Sequence, residues 1–316
     1  MKRTNLCVSV VVFAYRRPQH LNKVLVALEK QKEAHKTRVT VYVDGPKTNN
    51  EKRQVLETTK IAKKERNFHS LKVIQRKTHK GLARSVVSGI NNVLAKEKKV
   101  IVLEDDTVPL EGFLEYMNAG LKKYEKDKRV FQVAGFNPLR IKKNKKVQFI
   151  CLTSSWGWGT WKRAWKNFRM KVKVNRNIDM QLFLSEFDLN GSYPFSRLLA
   201  DAANKKSESW AIRWYYACFL RRALVAYPPS SYVENIGNDG TGQHENHAIS
   251  QVTNKPTRPS NLNWPKKVVE SAELRSLFKR YFYAKKSESD RPISRRLGRW
   301  LTTTFWGLSN RQTHLR

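Results

Sequence analysis

Residues 104–106 read Glu-Asp-Asp and follow directly on Val100-Ile101-Val102-Leu103. The four apolar residues have the composition of a buried parallel strand. The acids then fall where that strand emerges at the carboxyl edge of a sheet, the edge at which open α/β folds bind ligands. Three adjacent carboxylates repel one another and are tolerated together when a cation or several donors neutralise them. Two readings compete. The acids are hard oxygen ligands for Mg²⁺ or Mn²⁺, which would bridge substrate phosphates and neutralise charge on a leaving phosphate. Alternatively they form a solvated turn ahead of a helix opening at Pro109, whose N-terminus favours negative charge. They abut a buried strand rather than lie on an amphipathic face, which favours the site. The chain carries 62 Lys and Arg against 26 Asp and Glu, a formal +36, so an acid cluster there calls for a reason.

The elements that would position these acids alternate. Strand-like runs at 8–15, 37–43, 71–76 and 100–103 are separated by helical patterns at 18–28, 50–65 and 81–96, with a further helix at 109–124. Pro18 suits a first helical position, and Leu21, Val24, Leu25 and Leu28 recur on one face. Such alternation predicts parallel βαβ units in a doubly wound, mostly parallel α/β sheet flanked by helices. Beyond residue 130 the pattern breaks. Strands are expected at 130–135 and 223–227, a basic hairpin or loop at 141–148 and a helix at 210–222. The segment 154–165, SSWGWGTWKRAW, fits neither a regular helix nor a strand.

Bulk properties narrow the rest. Forty per cent apolar residues in 316 argue for a folded chain. Cys7, Cys151 and Cys218 are too few and too scattered for a disulfide or zinc framework, which points to a reducing compartment. The run 6–15 is too short for a signal peptide and reads as the first buried strand. No apolar stretch approaches the roughly 18–20 residues that span a bilayer. The expectation is a cytoplasmic protein, peripheral at the inner face of the membrane at most.

Four segments in order, VSVVVFAYRRPQHL, VDGP, THKGLARSVVSGIN and VIVLEDDTVP, resemble the donor-site segments of GT-A-fold glycosyltransferases, family 2 and the eukaryotic N-acetylglucosaminyltransferase I type above all. The resemblance covers about residues 6–250. It implies an inverting, metal-dependent transfer from a nucleotide-sugar donor, UDP-linked, to a glycan or lipid-linked acceptor. It places Ala14, Tyr15 and Arg16 around the uridine and Asp44 on the base, although Asp44-Gly45 is also a plain turn signature. Gly81 and Arg84 would lie near the nucleotide at a helix start, although an Arg on a helix, as Arg84 is, is more often at the surface than a ligand. Glu104 would face the ribose or sugar, Asp105 would fill the centre of the acidic motif, and Asp106 would ligate Mn²⁺ or Mg²⁺. Arg17 reads as an ordinary solvated charge.

The same resemblance assigns the later features. Trp156, Gly157 and Trp158 would shape the sugar and acceptor pocket, where indole faces stack on pyranose rings; core packing is the alternative, and Trp161 and Trp165 read as core. Glu208 would be the base that takes the acceptor proton, or else an ordinary acid at a helix start. Arg213 would pair with a carboxylate in the site or line the surface. His244, in the loop 236–244, would complete the metal site, although a lone histidine is usually not a ligand.

Residues 1–250 thus form the expected catalytic domain and 251–316 a basic extension, with fifteen Lys or Arg against four Asp or Glu. Its mixture of Arg295, Arg296 and Arg299 with Trp300, Leu301, Phe305 and Trp306 has the composition of an interfacial helix on an anionic membrane. Two other classes stay in view. A nucleic-acid-binding protein would use the charge and aromatics but has no need of the acid triplet. A sugar-phosphate nucleotidyltransferase would carry a glycine-rich loop after the first strand, where this chain has FAYRRPQHL.

Overall fold

A computed structural model describes residues 6–139, 145–172, 180–237, 239 and 256–284. The chain runs β1 (Val10–Ala14), α1 (Pro18–Glu29), β2 (Arg38–Val43), α2 (Lys52–Ala62), β3 (Ser70–Gln75), α3 (Leu82–Lys96), β4 (Lys99–Glu104), β5 (Thr107–Pro109) and α4 (Phe113–Lys123). It continues through β6 (Val130–Ala134), β7 (Gln148–Ile150), β8 (Trp158–Trp161), α5 (Lys162–Trp165), α6 (Met180–Phe187), α7 (Phe195–Ala203), α8 (Trp210–Phe219), β9 (Leu224–Tyr227), β10 (Val233–Asn235) and α9 (Ala272–Ala284).

Among the described residues, eight strands form one sheet in the order β3-β2-β1-β4-β8-β6-β9-β7, and β5 pairs with β10 in a small second sheet. The first four strands are parallel. The central pair, β1 and β4, has unbroken apolar runs, as burial on both faces demands, while β3 at the sheet edge alternates polar and apolar residues. Every residue of β1 is buried, as are Val100 to Leu103 of β4. The α/β class and the GT-A-like sheet flanked by helices are as expected.

The second half differs from expectation at 154–165. Trp158–Trp161 is a strand, antiparallel to both β4 and β6, and joins the two halves of the sheet. Its side chains are buried on both faces, so the polar–apolar alternation that marks a half-exposed strand is missing. Trp158 lies among Trp165, Trp210 and Trp214, with ring centroids 5.0–6.2 Å apart. Trp161 donates its indole N–H to the Leu121 carbonyl at 3.0 Å. Residues 256–284 also belong to the packed body: Trp264 stacks on Tyr116, and Leu274 and Phe278 of α9 are buried in the second apolar cluster.

Candidate functional site

Parallel pairing sets the site. Phe13 of β1 is in register with Glu104 of β4, so the exit of β1, Tyr15-Arg16-Arg17, lies level with the three acids. The Tyr15 backbone N–H donates to Asp105 Oδ2 at 3.3 Å. Beyond Asp106 the chain enters β5, whose partner β10 aligns Asn235 with Thr107. The strand exit of β10 is thereby brought onto the acids: Ile236 N–H donates to the Asp106 carbonyl at 2.9 Å, and a Cβ on Gly237 would stand 2.5 Å from Asp106 Oδ2.

Arg17 occupies the centre of the cluster. Its Nη2 donates to Asp105 Oδ1 and, at 2.8 Å, to Asp106 Oδ2. Burial works against the guanidinium charge, but the two aspartates outweigh it and hold its pKa above the ordinary value. The expectation of a solvated Arg17 is therefore overturned. Nothing in the local sequence could reveal it, because its partners lie 88 and 89 residues away. His20, one turn further along α1, was equally inconspicuous; its Nε2 lies 3.1 Å from Asp239 Oδ2 and 3.3 Å from the Ile236 carbonyl oxygen.

The acids differ in environment. Burial pushes the Glu104 carboxyl up to about 8, and repulsion from Asp106 and Asp105 adds to it. Arg17 and a hydrogen bond from the Trp210 indole offset only part of that. Burial also raises Asp105, which is 3% exposed, despite the Arg17 contact.

A second group adjoins the first. Asp44 directly follows β2 and is 5% exposed. Its carboxylate accepts from Lys80 N–H at 2.9 Å and Gly81 N–H at 2.9 Å, and His79 Nδ1 stands 3.0 Å away. Asp44 therefore fixes the loop that opens α3, where Gly81 adopts φ +79°, a left-handed conformation that favours glycine. The Tyr15 ring leans on His79 at 5.0 Å, and its hydroxyl donates to Glu51. Burial raises the Tyr15 pKa to about 12. Arg16 pairs with Glu51 at 2.8 Å, and Ala14 is buried, its carbonyl accepting from Asp44 N–H.

Glu208 reaches this group from the far half of the chain. Its Oε1 lies 3.6 Å from Arg84 Nη2, both side chains more than 60% exposed, and a Cβ on Gly81 would stand 3.2 Å from its Oε2. Ser209 caps α8, accepting a hydrogen bond from Ile212 N–H, and Trp210 turns inward to Glu104. One helix start thus presents Glu208 beside α3 and an indole donor to the acid cluster.

Three expected pocket residues lie elsewhere. Trp158 is fully buried in the indole cluster and has no face for a sugar. Gly157, with φ +57°, is packed against Val233, and its carbonyl accepts from Gly135 N–H at 2.6 Å. Arg213 is 7% exposed and spends its guanidinium on the carbonyls of Met170, Ser209, Ala202 and Ser207, so it clamps α8 rather than facing a ligand. Trp156 is only partly buried and packs edge-on against Phe136 at 4.6 Å. His244 lies outside the described residues.

The donor set accords with Mg²⁺ or Mn²⁺. Asp105 and Asp106 converge on a single cationic nitrogen, a place a hard cation held by two carboxylates and substrate phosphates could take. No group of three or more His, Cys, Asp or Glu side chains is gathered for a metal among the described residues. No helix among them is long and apolar enough to cross a membrane.

No curated protein matches the sequence. Among solved structures the chain is similar to residues 1–349 of S. aureus TarS, at 14% identity and a TM-score of 0.44, covering 74% of this chain and 61% of that one. It thus spans about three fifths of that TarS chain. It is also similar to the mannosyltransferase PcManGT of Pyrobaculum calidifontis, solved with GDP-Man and Mn²⁺ (14%, TM-score 0.38, 69% and 75%), and to GalNAc-T7, solved with UDP, GalNAc and Mn²⁺ (12%, TM-score 0.44, 73% and 44%). The profile of one protein family, glycosyl transferase family 2, matches residues 9–183, a span that takes in β1 to β4, the acid cluster and β8. With more than half of its length matched, the chain belongs to glycosyl transferase family 2.

Proposed function

We propose that the protein is a divalent-cation-dependent, inverting glycosyltransferase that moves a hexose or N-acetylhexosamine from a nucleotide donor, a UDP-sugar, to a glycan or lipid-linked acceptor. The observation that carries this reading is the convergence of Asp105 and Asp106 on one cationic position at the carboxyl edge of β4. A cation held there would offset the charge that gathers on the departing diphosphate. Tyr15 and His79 offer a ring surface for the base, beside the Asp44-fixed loop at the start of α3. Glu208 would take the acceptor hydroxyl proton as that oxygen bonds to the anomeric carbon, while the bond to the diphosphate oxygen breaks and its electron pair leaves with the nucleotide. The basic stretch beyond residue 250 would draw the enzyme to an anionic membrane surface.

A thermal-shift panel of UDP, GDP and CMP with and without Mn²⁺ tests the donor. Stabilisation by UDP that needs Mn²⁺ is expected; no stabilisation by any nucleotide would overturn the reading. Glu208→Gln is expected to lower turnover by about 100-fold or more with UDP affinity unchanged, since only the base is lost. Steady-state rates beside a UDP titration check this, and weakened UDP binding at normal turnover would remove Glu208 from the role.

A further inference from the structure

We propose that Arg17 is a resident counter-ion for the acid pair, holding Asp105 and Asp106 converged until a divalent cation and a nucleoside diphosphate arrive together, the cation taking the carboxylates and the diphosphate taking the guanidinium. The proposal rests on the metal-dependent donor reading above and adds the order in which the site is filled.

Four observations lead there. Arg17 is the N-cap of α1, the positive end of a helix, where a cation is disfavoured and an anion is welcome. The two aspartates, not the helix, therefore hold it in place. A single nitrogen, Nη2, serves both carboxylates. The other, Nη1, is buried and has no hydrogen-bond partner among the described residues. A buried N–H without an acceptor is costly, and a planar guanidinium is well shaped for phosphate oxygens. An ion pair serving only the fold would be expected to use both nitrogens, as Arg213 does with four carbonyls.

Competition follows from the geometry. The guanidinium nitrogen and a metal ion cannot both stand between Asp105 Oδ1 and Asp106 Oδ2. A cation entering alone must displace Arg17 and leave a buried charge with no partner, which is unfavourable. With a diphosphate present, the displaced guanidinium gains an acceptor beside the same helix start. Cation and nucleotide thus favour one another's binding, and by linkage the effect is reciprocal.

Electron paramagnetic resonance of free Mn²⁺ reads this without turnover. Wild-type protein is expected to bind Mn²⁺ about tenfold or more tightly with saturating UDP, or GDP in a parallel series, than without it. Arg17→Gln is expected to bind Mn²⁺ alone about tenfold more tightly than wild type and to lose most of the nucleotide enhancement. Arg17→Lys, which keeps the charge, should bind Mn²⁺ alone no better than wild type. Unchanged or weaker Mn²⁺ binding by a folded Arg17→Gln overturns the proposal. If that variant does not fold, wild-type Mn²⁺ affinity indifferent to nucleotide overturns it equally. Asp106→Asn separates the two readings. If it binds Mn²⁺ with UDP as wild type does, the metal site itself is wrong. If it loses Mn²⁺ while Arg17→Gln matches wild type, only the exchange fails.

Discussion

Asp106→Asn is expected to lower turnover by about a thousandfold while the protein stays folded. The substitution keeps the shape of the side chain and removes one negative charge. Arg17 retains Asp105 as a partner, and the backbone bond from Ile236 to the residue 106 carbonyl is untouched. The substitution also removes the stronger of the two charges that repel an ionised Glu104. What disappears is one of two carboxylates able to meet a dication at the sheet edge. Initial rates with added Mn²⁺, beside a thermal melt, measure both halves of the prediction. Near-normal rates in a folded variant would mean that Asp106 has no part in the chemistry.

Trp158→Ala should act in the opposite way, on the fold first. The indole is fully buried where β8 crosses between β4 and β6, against Trp165, Trp210 and Trp214. Removing it would leave a cavity that costs about 3–5 kcal/mol. A typical domain has only about 5–15 kcal/mol to lose, so urea unfolding should shift far to lower concentration. Trp158→Phe is milder, because the indole N–H has no hydrogen-bond partner among the described residues and its loss leaves nothing newly unpaired. Trp156→Ala serves as the contrast, since that ring is only partly buried and should change stability little. A Trp158→Ala protein of wild-type stability but altered acceptor KM would contradict the burial.

Some parts of the molecule are legible in one dimension and others are not. β2 and the edge strand β3 are marked by apolar residues alternating with polar ones, whereas the central strands β1 and β4 announce themselves because both faces are buried, so Val, Ile and Leu run without interruption. The acid cluster is visible for the same reason: it ends such a run. β8 escapes notice because Trp-Gly-Thr-Trp has neither the continuous apolar run nor the alternation of a typical strand. Trp158 and Arg213 carry the residue types of a sugar pocket, yet both are used internally: the indoles of α8 enclose Trp158, and carbonyls from the end of α7, the start of α8 and Met170 take up Arg213. Arg17 is the opposite case: a residue of ordinary appearance given its place by parallel pairing of strands some 90 residues apart. Glu208 and the start of α3 meet for a similar reason, through a turn of chain that no local pattern encodes.

The position of β9 has a bearing on how the molecule can be divided. β9 lies between β6 and β7, parallel to the first and antiparallel to the second, and comes more than forty residues after the matched family stretch ends at 183. An excised fragment of residues 9–183 would therefore carry a gap in its sheet and the bare hydrogen-bonding edges of two strands, an invitation to pair with other copies. A fragment meant to fold alone should therefore extend at least through β9.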